Sequence, residues 1–228
     1  MDATIPLQQQ SASRAPAGML AIWHDVAPGQ AAAVRDWYAR EHHFERLAVP
    51  GFLDARRYER VAGNGAEFFG SYRLAAPAVL RSAAYQARVD APTPWTREAM
   101  RQFRNMCRTA CTIAAEAGRA RGGHLATLAA SDASELEDAA GLCERLRALA
   151  GVLRVTAIAA EAGEATPPST ELALRGRPDA QVRWALLLDA DSQQAAEDAL
   201  LAAQDATACR RPAQFAVYRL CFSARHPQ

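Results

Sequence analysis

The sequence contains no lysine, and all 26 side chains of the Lys and Arg class are arginines. Arginine keeps its charge and offers no amine that can lose a proton, so Schiff-base catalysis, attachment of pyridoxal phosphate and a P-loop lysine are excluded. The GxGxxG, Walker A and GxSxG patterns are also missing. Nucleotide binding through such loops and serine-triad catalysis are therefore not indicated.

An excess of charge and long apolar runs are missing as well. The 26 basic residues face 25 acidic ones, so no basic face for nucleic acid is expected. Trp184–Leu188, among the longest apolar runs, is far short of the roughly 20 residues that cross a bilayer, so no membrane partner is expected. Residues 1–18 lack the apolar core of a secretion signal and are predicted to be a mobile tail, which makes a cytoplasmic location the expectation.

Five cysteines are scattered along the chain, and their odd number is typical of reduced thiols rather than a disulfide framework. Cys107 and Cys111 are four residues apart, which on a helix would place them on one face. Two thiols alone make a poor metal site, so we interpret them as buried apolar side chains and expect no metal.

Predicted strands and helices alternate in the first half of the chain. In order they are a strand over 19–26, a helix over 30–47, strands over 52–61 and 67–74, a helical region from 77 to about 108 broken by prolines, and a strand over 109–116. A Pro-Gly corner, Pro50-Gly51, separates the first helix from the second strand. This element order is that of the ferredoxin-like unit.

The second half repeats this order, with Gly151 in the place of Gly51. We predict an α+β fold with a first repeat over 19–118 and a second, degenerate repeat over 122–224. Each unit leaves one sheet face uncovered, so the two repeats are expected to pack together as an intramolecular α/β barrel. This packing predicts a central cavity between the sheets, lined by alternate strand residues.

The stretch Trp37–Tyr58, WYAREHHFERLAVPGFLDARRY, resembles the EthD-like and related families of the dimeric α/β-barrel superfamily, here with two copies fused. The local motif covers about 21–58, and the likeness in fold covers roughly 19–224. The superfamily includes cofactor-free monooxygenases, polyketide cyclases, muconolactone-type isomerases, and haem-dependent chlorite dismutases and peroxidases. The resemblance therefore implies a fold and not one reaction. A homodimer is a possible assembly.

The C-terminal part of the predicted helix over 30–47 contains the leading catalytic candidates, Glu41 and His42. His42 beside Glu41 has the chemistry of a general base, and the resemblance implies that this helix end lies near the mouth of the barrel. Tyr38, one turn earlier, could donate a hydrogen bond to an oxyanion, and His24 at the end of the first strand is a second candidate base. The alternative is that Glu41 and His42 fasten the helix end and that Tyr38 packs in the core. His43 is predicted to point away from this face and to be solvated.

Candidate ligand-binding residues lie on the strands and near the break in the second helical region. The alternation predicts that Phe52, Asp54, Arg56 and Tyr58 share one strand face, with Arg57 on the other. Either arginine could bind an anionic or enolate oxygen, although exposed or paired arginines are common. The full set of candidates is Trp23, Arg56, Arg57, Tyr58 and Trp95, the last in a segment that forms either a lid or an ordinary kink.

Two hypotheses follow from the sequence. The first is a cofactor-independent enzyme that transfers protons on a small hydrophobic carbonyl or aromatic compound, as in cyclisation, dehydration, isomerisation or oxygenation. The second is a non-catalytic barrel that binds a small ligand or has a structural role. No cofactor is expected, since His124 is the one histidine of the second half outside the tail and nothing else supports haem.

Overall fold

Eight antiparallel strands close into a barrel in the computed structural model, which describes residues 17–132, 136–161 and 168–226. Residues 1–16, most of the predicted tail, lie outside the described ranges. The order around the barrel is β1-β3-β2-β8-β5-β7-β6-β4. The strands are β1 (Gly18–Val26), β2 (Phe52–Asn64), β3 (Phe68–Leu74), β4 (Phe103–Ala117), β5 (His124–Ala130), β6 (Val152–Ala160), β7 (Trp184–Ala190) and β8 (Gln214–Arg225).

The barrel consists of two four-stranded sheets with the same internal order. The first half forms β4-β1-β3-β2 and the second half forms β8-β5-β7-β6. The two sheets join where β2 pairs with β8 and where β4 pairs with β6. Each joint unites the second strand of one half with the last strand of the other, so the halves are related by a pseudo-twofold axis. The predicted tandem ferredoxin-like barrel is confirmed, while the residue limits of the two repeats stay a prediction.

Helices cover the outer faces of both sheets. They are α1 (Ala31–Trp37), α2 (His43–Leu47), α3 (Ala83–Asp90), α4 (Pro94–Gln102), α5 (Ala139–Arg147), α6 (Thr170–Arg175) and α7 (Gln193–Thr207). A π-helical turn, Tyr38–His42, joins α1 to α2 in one continuous helix, and a 3-10 turn, Pro77–Arg81, precedes α3. Among the described residues, no helix is long and apolar enough to cross a membrane.

The barrel interior is a packed core. It contains aromatic and aliphatic side chains from both halves, among them Trp23, Tyr58, Phe69, Leu187 and Tyr218. Trp23 donates a hydrogen bond from Nε1 to Thr127 Oγ1 on the opposite sheet, at 3.3 Å. The expected central cavity is therefore absent from the middle of the barrel within the described residues, because the inward-facing residues of the two sheets fill the space there.

The boundary between α4 and β4 also differs from the prediction. The second helical region ends at Gln102, not near Arg108, because β4 already pairs with β1 from Phe103 onward, opposite Val26. Cys107 and Cys111 thus lie on a strand and not on a helix. Both thiols are buried in the barrel core, and burial raises the pKa of Cys107 to about 11.

The glycine corner occurs in both halves, as the sequence predicts. Gly51 has φ +95° and Gly151 has φ +73°, a left-handed conformation that strains any residue with a Cβ. A Cβ on Gly51 would lie 2.5 Å from Val79 Cγ2, and one on Gly151 would lie 2.6 Å from Ala195 Cβ. Both corners therefore require glycine for conformation and for space.

We expect Gly51→Ala and Gly151→Ala each to lower the free energy of unfolding by about 2–4 kcal/mol, from left-handed strain plus overpacking. Urea denaturation followed by circular dichroism measures the change. Gly123→Ala is the matched control, since nothing lies within 4 Å of the added Cβ, and its cost should stay within about 0.5 kcal/mol. Equal stability of all three variants would contradict a structural role for the corners.

Candidate functional site

The polar cluster of the first half lies outside the barrel, between the outer sheet face and the helices. The π-helical turn explains how two consecutive histidines, His42 and His43, both face inward: its wider i→i+5 spacing inserts one extra residue and shifts the positions that follow. His42 is 5% exposed and His43 is 0% exposed. The prediction that His43 is solvated is wrong, because it assumed an unbroken 3.6-residue period.

His24 and Tyr38 are joined by a buried hydrogen bond. His24 Nδ1 lies 3.3 Å from the carbonyl oxygen of Asp25, which can only accept, so Nδ1 carries the proton. Nε2 is then the acceptor, and the Tyr38 hydroxyl donates to it at 3.2 Å. Burial lowers the pKa of His24 to about 4 and raises that of Tyr38. With both ring nitrogens engaged, His24 can take up a proton only if the Tyr38 hydroxyl stops donating to Nε2 and accepts from it instead.

His42 has a different environment. Its ring packs on Trp37 with centroids 4.2 Å apart and lines a cavity. Nδ1 of His42 is buried and has no hydrogen-bond partner among the described residues. Burial, with a smaller contribution from the Arg46 charge, lowers the pKa of His42 well below its ordinary value. His42 is therefore a neutral imidazole with unused hydrogen-bonding capacity.

His43 shares a hydrogen bond with Tyr72, with 2.9 Å between Nδ1 and the hydroxyl oxygen. Its ring stacks on Phe222, with centroids 4.5 Å apart, and burial lowers its pKa to about 3. Nε2 of His43 has no partner within the described ranges. An unpaired buried N–H is rare, so the favoured tautomer carries its proton on Nδ1 and donates to Tyr72. The Tyr72 hydroxyl proton is then free for another acceptor.

Glu41 is held by α4 and not by His42. Its carboxylate accepts hydrogen bonds from the hydroxyls of Thr93, at 2.6 Å, and Thr96, at 3.0 Å. Thr96 Oγ1 in turn accepts the indole N–H of Trp37 at 3.1 Å. These contacts fasten the first helix to the start of α4. They fit the alternative in which Glu41 has a structural role at the helix end, separate from any role of His42.

Two small adjoining cavities lie beneath α2, α3, α4 and α6, with volumes of about 60 Å³ and about 30 Å³. Their walls combine apolar side chains such as Leu20, Ile22 and Phe103 with charged and phenolic groups. Polar residues that the sequence interpretation missed form much of the lining, and these are Arg46, Tyr72, Tyr85, Arg108, Glu171 and Arg175. They come from five elements that are distant in sequence, so local patterns carry no signal for them.

Arg46 and Glu171 form a buried ion pair between the two halves of the chain. Their side chains are 3% and 8% exposed. The Arg46 guanidinium also lies over the Tyr85 ring, 5.6 Å from its centroid. Tyr85 accepts a hydrogen bond from Arg108 at 2.8 Å. Glu171 belongs to α6, so a helix of the second half completes the cavity of the first.

The predicted ligand-binding residues are divided among three places. A bulge at Leu53 in β2 puts Phe52 with the helix-covered face, while Arg56 and Tyr58 lie on the barrel side, so the predicted common face for Phe52 and Tyr58 is wrong. Arg57 alone shares the side of His42 and lies 5.9 Å from the Tyr38 ring centroid. The other two candidates are Trp23, in the barrel core, and Trp95, on α4 and 37% exposed.

Solved structures of known proteins share this fold. The chain is similar to an anthrone oxidase-like protein, with a TM-score of 0.63, 10% identity and coverage of 93% of this chain and 94% of that chain. It is also similar to a candidate monooxygenase from Fusobacterium nucleatum subsp. nucleatum, with a TM-score of 0.54, 8% identity and coverage of 92% and 95%. No family model and no curated protein sequence matches the chain. These structures share the barrel fold of this chain, in which both halves of the barrel come from one polypeptide.

Removal of one partner of the Arg46–Glu171 pair should destabilise the protein strongly. We expect Arg46→Met to cost about 3–5 kcal/mol, because the Glu171 carboxylate is left buried without its countercharge. The double variant Arg46→Met/Glu171→Leu should recover most of this loss. Arg88→Met is the control, since its pair with Glu45 is 42% exposed on the arginine side and should contribute less than about 1 kcal/mol. Denaturant unfolding of the wild type and the three variants measures these losses, and equal losses for Arg46→Met and Arg88→Met would disprove the buried pair.

The buried histidines also predict loss of stability in mild acid. Each histidine is neutral in the folded protein and takes up a proton near pH 6.5 only in the unfolded chain. Its contribution to the free energy of unfolding is therefore complete above pH 6.5 and is lost as the pH falls. The pH range over which this stability is lost runs from 6.5 down to about 4 for His24 and down to about 3 for His43. Burial raises the pKa of Asp189 from 3.8 to about 6. Between these two values the folded protein binds the proton more readily than the unfolded chain, so Asp189 adds stability as the pH falls.

With His42 included, three histidines oppose one carboxyl, and the net loss should be on the order of 2–3 kcal/mol per pH unit near pH 5.5. Urea denaturation at pH 7.5, 6.0 and 5.0 measures this slope. Replacement of His43 by Gln should make the slope shallower. An unfolding free energy that stays constant between pH 7.5 and 5.0 would mean that the folded protein protonates these rings.

Proposed function

We propose that the cavity beneath the π-helical turn is the active site of a cofactor-independent enzyme, in which His42 removes a proton from a small hydrophobic carbonyl or aromatic compound. The observation that carries this proposal is the buried, neutral His42 ring at the cavity wall, with Nδ1 unpartnered among the described residues. Cyclisation, dehydration, isomerisation and oxygenation of such compounds can each begin with this proton transfer.

The protonation state of His42 suits a general base. A neutral imidazole can accept a proton, and His42 stays neutral at physiological pH because burial lowers its pKa. In the empty cavity the imidazolium would be poorly stabilised. A substrate that becomes an anion as its proton leaves would supply the missing countercharge, so the transfer is favoured when an enolate-like ion forms beside the ring.

Tyr85 and Arg108 can stabilise the negative charge that forms on the substrate. Tyr85 accepts the Arg108 hydrogen bond through its phenol oxygen, which leaves its own O–H free to donate. A neighbouring guanidinium strengthens that donor. Tyr72 can act in the same way, since in the favoured tautomer it accepts from His43. Both tyrosines line the same cavity as His42.

The cavity walls favour an aromatic substrate. Leu20, Ile22, Met100, Phe103 and Met106 present apolar surface around the polar groups. Anthrone, the compound after which one of the similar proteins is named, has the expected chemistry. Its acidic methylene can lose a proton to give an aromatic enolate, which reacts with dioxygen to form anthraquinone and water. An aromatic ligand requires side chains to move, because the two cavities together hold only a few water molecules.

The small cavity volumes also favour the second candidate, a barrel that binds a small ligand without turning it over. In that case an aromatic ketone would bind saturably, with a change in tryptophan fluorescence and no conversion.

We expect the wild-type chain to accelerate the conversion of anthrone and O₂ to anthraquinone, measured by absorbance and oxygen uptake. His42→Gln should lose about 100-fold or more of this rate, the range for removal of a general base. The same variant should slow deuterium uptake at the methylene of anthrone in the absence of oxygen.

His124→Gln is the matched control, because it removes a histidine at the start of β5, away from the cavity. It should retain the wild-type rate, and circular dichroism should show that both variants are folded. Equal rates for wild type and His42→Gln would eliminate His42 as the base. Saturable binding of anthrone without conversion would favour the ligand-binding alternative.

A further inference from the structure

Six arginines converge at one mouth of the barrel, the end where β2 and β6 begin and where β3, β4 and β7 end. They line a pocket of about 270 Å³ that also contains Asp54. Four different strands and the connection between β4 and β5 supply them. The residues, hereafter the arginine mouth, are Arg56 of β2, Arg73 of β3, Arg119 and Arg121 of the connection, Arg154 of β6 and Arg225 of β8.

The carboxylates around the arginine mouth balance only part of its charge. Glu116 pairs with Arg73, at 2.8 Å, and also with Arg154. The other contacts are longer, 3.6 Å between Asp54 and Arg56 and 3.9 Å between Asp189 and Arg121. Three carboxylates thus face six guanidinium groups, which leaves about three positive charges uncompensated within the described structure.

Arg56 also has a donor that is not fully used. It is 6% exposed, and its Nε lies 3.6 Å from Asp54 Oδ1, beyond hydrogen-bond distance, with no hydrogen-bond partner among the described residues. Arg154 Nε is in the same condition. A buried guanidinium N–H without an acceptor costs desolvation free energy, and this cost is greater for a charged donor than for a neutral one. Donors of this kind around a pocket, with an excess of positive charge, are suited to an anionic acceptor.

We propose that the arginine mouth binds a small multivalent oxyanion, of the phosphate or polycarboxylate type. The planar guanidinium forks pair with two oxygens of such an anion, a geometry that lysine cannot provide. The pocket is large enough for a pyrophosphate or a tricarboxylate ion. It opens at the end of the barrel interior, whereas His42 lies on the outer sheet face, so this site is independent of the proposed catalytic function.

Isothermal titration calorimetry on the full chain, at constant ionic strength, tests the proposal with pyrophosphate and citrate as probes. We expect saturable binding of at least one probe, with one site per chain. The double variant Arg119→Gln/Arg225→Gln should weaken this binding about tenfold or more, because each charged hydrogen bond to the anion is lost. Both arginines are exposed, so the variant should fold. The bound probe should also raise the Tm of the wild type but not that of the variant.

The control is Arg101→Gln/Arg145→Gln, which removes the same charge from two exposed ion pairs on α4 and α5. Its affinity should equal that of the wild type. Binding of pyrophosphate alone would assign the site to phosphates, and binding of citrate alone would assign it to polycarboxylates. Failure of both probes to bind would overturn the proposal. An equal loss of affinity in the control variant would also overturn it, because it would mean that the probes are attracted only by the net charge of the protein.

Discussion

Closure of the barrel depends on four edge strands that pair across the two halves, β2 with β8 and β4 with β6. Without these joints each ferredoxin-like sheet would expose two open edges and one apolar face. Closure satisfies the backbone groups of all four edges and brings the inward faces into contact. The space between the sheets is then filled by side chains such as Trp23 and Tyr218. Room for a ligand remains under the helices and at the barrel mouth.

The two halves use the space under their helices differently. In the second half, aliphatic side chains such as Leu142, Leu146 and Leu186 fill the interface between the sheet and α5 and α7. In the first half, the π-helical turn directs His42 and His43 into the corresponding interface, where tyrosines and arginines surround them. One inserted residue in a helix thus changes an apolar contact into a polar cavity, at a cost in desolvation that the low pKa values of the histidines record.

The element order, the tandem repeat and the glycine corners could be predicted from the sequence because each depends on local patterns. Gly51 and Gly151 are conspicuous, and strand alternation is readable over most of the chain. The faces predicted for His43 and Phe52 are wrong because a π-helical turn precedes His43 and a β-bulge follows Phe52. Each feature shifts the side-chain period by one residue and has no distinctive local composition. Tyr85, Arg108 and Glu171 could not be predicted as site residues, since only the tertiary fold brings them to His42. The same holds for the arginine mouth, whose members come from five separate elements.

The position of α6 has a consequence for how the chain can diverge. This helix follows β6 in the second half, yet its Glu171 closes the cavity of the first half through Arg46. A duplicated chain of this kind divides two tasks that a symmetric assembly must combine in every subunit: one half holds the buried histidines, and the other provides a helix that covers them. Substitutions around α6 can then be selected for their effect on a site in the other half of the chain, and the covering half is free to lose its own polar residues.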